Sequence, residues 1–331
     1  MIDDILAFQL DLMRVSAQTR REVLPVLYDL EKELFQLILA GGDTIKPRKL
    51  LAQSNQAIDD YYAQAQGVLD LGDLPAITTE ATKSALASVI PVGINVALPT
   101  AGYLAKLSDE VLVNGAVTSA WWKKQANDVK FRFAGQVRQG LAAAENNQQI
   151  IERIKPVLAV SRREAAALVQ TSVAAVANAA RQAAFEENND LISRYMWLSA
   201  LDGHVCVYCA ARADKAWTAD GKKPVGHALP WRVPPIHLND RCVITPITKT
   251  WRELGADIDE PAPGQRASID GPLADSTTFD DFLKRKGTGF QDEVLGPGRA
   301  DMWRRGDITL QDLIGGDGRP LTLAQLRAKY A

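Results

Sequence analysis

All three cysteines and all three histidines of this 331-residue chain fall within residues 199–250. Cys206 and Cys209 form a C-x2-C pair, and after 27 intervening residues His237 and Cys242 follow as H-x4-C. Two thiolates on a tight turn, joined by an imidazole and a third thiolate from a distant loop, are the donor set that a tetrahedral zinc ion takes. A four-ligand site of that kind is structural, because no position is left open for a reacting water. Its binding energy becomes folding energy, which suits a loop-rich module with little core of its own. The candidate ligands are thus Cys206, Cys209, His237 and Cys242, with His204 and His227 as spare imidazoles and Asp240 as a possible oxygen donor.

Other readings of the same residues stay open. Reduced cysteines pack well as small hydrophobes. A redox-active C-x2-C belongs in a thioredoxin-like βαβ setting, and no such pattern surrounds this one. A Cys–His hydrolase needs a nucleophile, a base and an oxyanion hole in mutual register, and nothing in the sequence orients them. No catalytic residue and no organic cofactor is expected.

The elements around this module are mainly helical. Leu27, Leu30, Leu34 and Leu37 keep the three-and-four spacing of one helix face, in a helix that Gly41-Gly42 would stop. Pro25 lies inside the run and predicts a kink or a break there. A second helix is expected from Pro47 to about Leu69, and a third region, residues 108–153, reads as helix again. Ser161-Arg-Arg-Glu164 has the form of a capping box and predicts a helix start at Arg162. The helix so opened, to about Glu187, is rich in alanine and valine with few charges, so it should be largely buried, with Thr171, Asn178 and Arg181 hydrogen-bonded inside the core or across a helix interface. A β-prone run covers residues 242–247, a Pro/Gly/Asp-rich linker follows, and two or three short helices separated by glycine turns end the chain.

The expected fold class is therefore mainly α, with a helical N-terminal region (1–105), a helical core (106–198), a small Cys/His-rich α+β module (199–250), a linker (251–276) and a short helical C-terminal domain (277–331). Composition agrees with a soluble globular protein: 47% apolar, 24% charged and a net charge of −2. The near balance of charge excludes general nucleic-acid affinity and leaves only a local patch. Residues 121–163 are such a patch, with nine Lys or Arg against three acids, fit to meet DNA or to form a solvated helix face. Ile2 is followed by Asp3 and Asp4, the wrong charge for a signal peptide, so a reducing compartment is expected. Residues 84–105 carry no charge over 22 positions, enough length to span a bilayer. Pro91, Pro99, Gly93, Gly102 and Asn95 spoil that helix, so a buried or oligomer-facing helical hairpin is expected instead of a membrane span.

Three blocks in order carry a family resemblance. Trp197-Leu-Ser-Ala-Leu-Asp202-Gly-His-Val-Cys206-Val-Tyr-Cys209 is similar to a tryptophan–aspartate–C-x2-C segment, and Pro234-Pro-Ile-His237-Leu-Asn239-Asp-Arg241-Cys242 to a His-Pro-Asn-Cys-Arg-Cys element. Upstream, Gln170-Thr171 through Asn178 to Arg181 is similar to the alanine-rich helix preceding them. Together these resemble the Mu F-like minor head (head morphogenesis) proteins of phages, over about residues 108–247. The tail from Thr278 through Arg299 to Leu323 also looks like a segment found after that core. Asp240 stands where the family element often has its first cysteine. The resemblance implies a minor head protein in the virion near the portal vertex, made in the host cytoplasm, with portal or major capsid protein as partner and roles in assembly, DNA packaging or delivery. It may be compared with two alternatives: a metal-dependent hydrolase or toxin-like enzyme in the tail, and a DNA-binding virion protein using residues 121–163.

Overall fold

The computed structural model describes residues 1–40, 46–113, 115–260 and 264–330. In chain order the helices and strands are α1 (Ile2–Ala40), α2 (Pro47–Val68), α3 (Leu74–Ala87), α4 (Ala101–Glu110), β1 (Leu112–Val113), β2 (Ala116–Val117), α5 (Thr118–Ala142) and α6 (Asn147–Glu187). They continue with β3 (Ile192–Leu198), α7 (Val207–Arg212), β4 (Ala216–Thr218), β5 (Pro224–Val225), β6 (Val243–Thr248), β7 (Gln265–Arg266), β8 (Leu273–Ala274), α8 (Phe279–Lys284), α9 (Thr288–Leu295), α10 (Pro297–Arg305) and α11 (Leu323–Tyr330). The mainly helical expectation is met.

Two long helices tie the molecule together. α6, about 60 Å long at 1.5 Å per residue, packs its first half with α1, α2 and α5 around Leu30, Leu34, Ile58, Phe133, Ile154 and Leu168. Its second half presents Val173, Val176 and Ala177 to Leu12 of α1 and to Leu71 and Leu74 beside α3. Small side chains on that half let neighbours approach closely, as the alanine content predicts. The start of α1, through Ile5 and Leu6, enters a second core that the β-sheet shares with the C-terminal helices. That core gathers Tyr195, Trp197 and Trp217 of the sheet with Phe279, Phe282, Leu295, Trp303 and Leu313, so residues 277–330 pack on the sheet rather than around a core of their own.

Several local expectations need correction. Of the kink or break expected at Pro25, the break does not occur, and α1 runs on as one helix; Val23, Val26 and Leu27 are buried on the same core face, and packing outweighs the hydrogen bond the proline removes. The stop expected at Gly41-Gly42 lies outside the described residues. Ser161 does not begin a helix. The helix starts earlier, where Asn146 and Gln149 form the capping box, and it passes through Pro156. Ser161 is instead buried mid-helix with its hydroxyl 2.5 Å from Tyr62 Oη, and Glu164 pairs with Arg132. Within residues 108–153 the helix is interrupted by the β1–β2 pair and again between α5 and α6. The uncharged residues 84–105 form the end of α3, an irregular connection and the start of α4, where Thr100 caps Tyr103 N. Pro91 and Pro99 sit in that connection, which Asn188 pins to the end of α6 by bonds to Ala97 N (2.8 Å) and O (2.9 Å). No described helix is long and apolar enough to cross a membrane.

The sheet has the order β5-β4-β3-β6, antiparallel throughout, with Tyr195 opposite Trp217 and Leu198 opposite Val243. β6 coincides with the β-prone run read from the sequence. The linker is anchored rather than free: Arg266 is 1% exposed and bonds Asp214 Oδ1 (2.7 Å), Thr277 O (2.9 Å) and Ser199 O (2.8 Å).

Candidate metal centre

β3 leads into the C-x2-C, and the H-x4-C leads into β6. Because the two strands are antiparallel neighbours with Leu198 opposite Val243, the chain leaving one and the chain entering the other lie side by side. Cys206 is the N-cap of α7 and Cys209 lies in its first turn. The return loop contains the cis Pro234–Pro235 bond and places His237 over both thiols.

His237 Nε2 lies 3.1 Å from Cys206 Sγ and 3.2 Å from Cys209 Sγ. Its Nδ1 is 2.8 Å from Leu238 O. A carbonyl can only accept, so Nδ1 carries a proton, and Nε2 faces the sulfurs, the orientation a metal-binding imidazole takes once Nε2 has given up its own proton. Cys209 Sγ is also 3.6 Å from Asp240 Oδ1. The potential donors fall into two triads sharing Cys209: Cys206, Cys209 and His237, and Cys209, Asp240 and Cys242, each with donor atoms within 4.8 Å of one another.

The four residues selected from the sequence are therefore neighbours, though Cys242 joins the others through Cys209. Donor atoms around a tetrahedral zinc ion lie roughly 3.5–3.8 Å apart, a few tenths more than His237 Nε2 stands from the two sulfurs. The donor chemistry suits a metal ion, with Cys206, Cys209 and His237 gathered in one triad and Cys242 only in the other. Asp240 is 1% exposed and each of its oxygens takes a backbone amide, Oδ1 from Cys242 N (2.9 Å) and Oδ2 from Ile236 N (2.8 Å). It organises the loop bearing His237 and Cys242.

The electrostatics favour deprotonated sulfur at the mouth. Hydrogen bonding from Cys209, with a further contribution from His237, holds the Cys206 thiol down to about 4. The bond with Cys206 in turn lifts His237 to about 9. The deeper thiols move the other way: Cys209 is raised by its bond to Cys206, and burial raises Cys242. A bound divalent ion would reverse three of these shifts, favouring the Cys209 and Cys242 thiolates and the neutral His237 imidazole.

Several contributors escape sequence reasoning. Ser199, fully buried, donates to Cys209 O (3.1 Å) and approaches Cys242 Sγ at 3.5 Å. Asp202 takes both Nη atoms of Arg241 at 2.7 and 2.8 Å, bracing the two halves of the site. Asn178 of α6 bonds Cys242 O (3.4 Å), and Thr171 accepts Asn239 N (3.1 Å). The polar exceptions in the alanine helix thus hold the ligand loop, and only their type, not their target, was readable. His204 and His227 belong to neither triad; His227 bonds Ala216 O and packs edge-on against Trp217.

The tail carboxylates are occupied structurally. Asp281 caps α8 through Thr278, Asp280 accepts Trp303 Nε1, Asp292 pairs with Arg304, and Asp301 and Asp307 share Arg305.

Residues 132–245 match the family model described as Phage Mu protein F like protein, so the match takes in α6, the sheet and both halves of the Cys/His cluster. No curated protein and no solved structure matches the chain. The tail resemblance, from Thr278 onward, lies beyond the matched residues. Over residues 132–245 the chain is similar to the Mu F-like phage proteins.

Proposed function

We propose that this chain is a minor head protein of a tailed phage or prophage, acting in head assembly at or near the portal vertex and aiding DNA packaging or delivery. The observation that carries the reading is the Mu F-like match over residues 132–245, which encloses the Cys/His cluster and the helix that buttresses it. In this reading zinc is held by Cys206, Cys209, His237 and Cys242 and braces the module without reacting. The partner is portal or major capsid protein, and the helices α1, α2 and α5 supply the docking faces.

The test is co-expression of the full chain with the portal and major capsid proteins of the same phage, followed by affinity capture and labelling of the chain in assembled heads. Label at one vertex of each head, with portal recovered alongside, supports the reading. Heads that assemble and fill normally without the chain, and carry no label, sink it.

A further inference from the structure

Three arginines are almost wholly buried: Arg181 at 2% exposure, Arg212 at 0% and Arg266 at 1%. Arg266 has the partner such a group requires, the Asp214 carboxylate at 2.7 Å. Arg212 has none. Its Nη1 donates to Pro230 O (3.0 Å) and its guanidinium lies 5.6 Å from the centre of the Trp197 ring, but Nε and Nη2 have no partner among the described residues. Arg181 donates Nη1 to Asn178 Oδ1 (2.9 Å), and its Nη2 is likewise unpartnered. A guanidinium keeps its charge, and a buried charge without a counter-ion is strongly destabilising.

Both side chains border the cysteine cluster. Arg212 stands three residues after Cys209 on α7, the spacing that brings two side chains to one face. Burial and the like charge of Arg232 act against its own charge, and the opposite charges that support it are those of Cys209, Tyr208 and Asp240. Arg181 reaches the cluster through Asn178, whose amide bonds Cys242 O. Three thiolates around a divalent ion leave one negative charge, and Asp240 beside them adds a second. Arg212, without a carboxylate of its own, faces that charge, and Arg181 is tied to the cluster through Asn178.

We propose that Arg212, with Arg181 behind Cys242, is the buried countercharge of an anionic metal–thiolate centre. The inference rests on the zinc reading given under the proposed function. It has a consequence that a packing role lacks: Arg212 stabilises the metal-loaded fold and destabilises the metal-free one.

The experiment compares the full chain with Arg212→Met and Arg212→Lys. Zinc affinity is read by competition with a chromophoric chelator, and thermal unfolding is followed with zinc and with excess chelator. Arg212→Met is expected to bind zinc about 10–100-fold more weakly, the usual effect of losing an outer-shell partner, while Arg212→Lys stays closer to the parent. In chelator, Arg212→Met should unfold at or above the parent temperature. Unchanged zinc affinity, or an equal loss of stability with and without zinc, overturns the proposal. Should Arg212→Met not fold, Arg181→Met gives the same comparison, and a loss of stability indifferent to zinc there overturns it too. A parent chain that takes up no zinc fails the zinc reading itself, whereas a zinc-loaded parent with indifferent variants fails only the countercharge.

Discussion

Leu198 and Val243 face each other across β3 and β6, and that single pairing decides where the cysteines meet. Ser199 follows one strand and Cys242 precedes the other, so Ser199 Oγ and Cys242 Sγ come within 3.5 Å. The C-x2-C and the H-x4-C, separated in sequence by the whole β4–β5 excursion, are then only a turn away from each other. The sheet acts as the hinge plate on which the two halves of the site are mounted.

One zinc per chain is the expected content of the purified protein by mass spectrometry. Cys209 belongs to both donor triads, so Cys209→Ser should lose the metal outright, and Cys242→Ser should lose it together with ordered structure in residues 199–250. Asp240→Asn keeps one acceptor oxygen, so only one of the Cys242 and Ile236 amides retains its bond. It should weaken zinc binding without abolishing it if Asp240 serves the loop alone. Full zinc occupancy in Cys209→Ser would discard the ligand assignment.

The hydroxyls of Tyr62 and Ser161 form a buried bond between α2 and α6. Burial pushes the Tyr62 phenol up to about 12, so the pair is neutral at all ordinary pH. Ser161→Ala strands the phenol and should cost about 1–3 kcal/mol, whereas adding Tyr62→Phe to it should recover part of the loss. Denaturant unfolding of the two single variants and the double variant measures this. Additive losses would mean the bond contributes nothing of its own.

The same pair shows how far the sequence could be read. Ser161-x-x-Glu164 has the chemistry of a helix start, but nothing local distinguishes it from the Asn146 and Gln149 box that does start α6. The choice is tertiary: Ile150, Ile151 and Ile154 have a core to enter, which carries the helix forward through Pro156. α2 and β6 were readable because Pro47 sets one boundary and a β-branched run the other. The metal candidates were readable from residue type and spacing alone. Ser199, Arg212 and the double use of Asp240 were not, since their partners are fixed by strand pairing and by a loop closing over α7.

Asp214 joins three parts of the second core. Its Oδ1 takes Arg266 at 2.7 Å and its Oδ2 takes Phe279 N at 2.6 Å, linking the turn before β4 to the linker and to α8. Asp214→Ala leaves a buried guanidinium without its carboxylate, and a loss of about 3–5 kcal/mol is expected. Limited proteolysis should then cut within residues 251–276 before any site in the α1–α6 bundle. Resistance there equal to that of the parent would show that Arg266 finds enough in Thr277 O and Ser199 O.

Six of the nine cations in residues 121–163 are paired with carboxylates: Lys124 with Asp128, Lys130 with Asp59, Arg132 with Glu164, Arg153 with Glu145, Lys155 with Glu152 and Arg162 with Glu31. Lys123, Arg138 and Arg163 have no such partner among the described residues, and Phe131, 82% exposed, lies on the α5 surface between the first two. Each phosphate neutralised on duplex DNA contributes about −0.9 to the slope of log affinity against log salt. Replacing all three free cations with Gln should thus flatten the slope of the full chain by no more than about 3. A larger change would mean that the paired cations release their carboxylates to bind DNA, and the DNA-binding reading would then gain over a solvated helix face. No change would remove this surface from consideration, because the remaining cations are already neutralised within the fold.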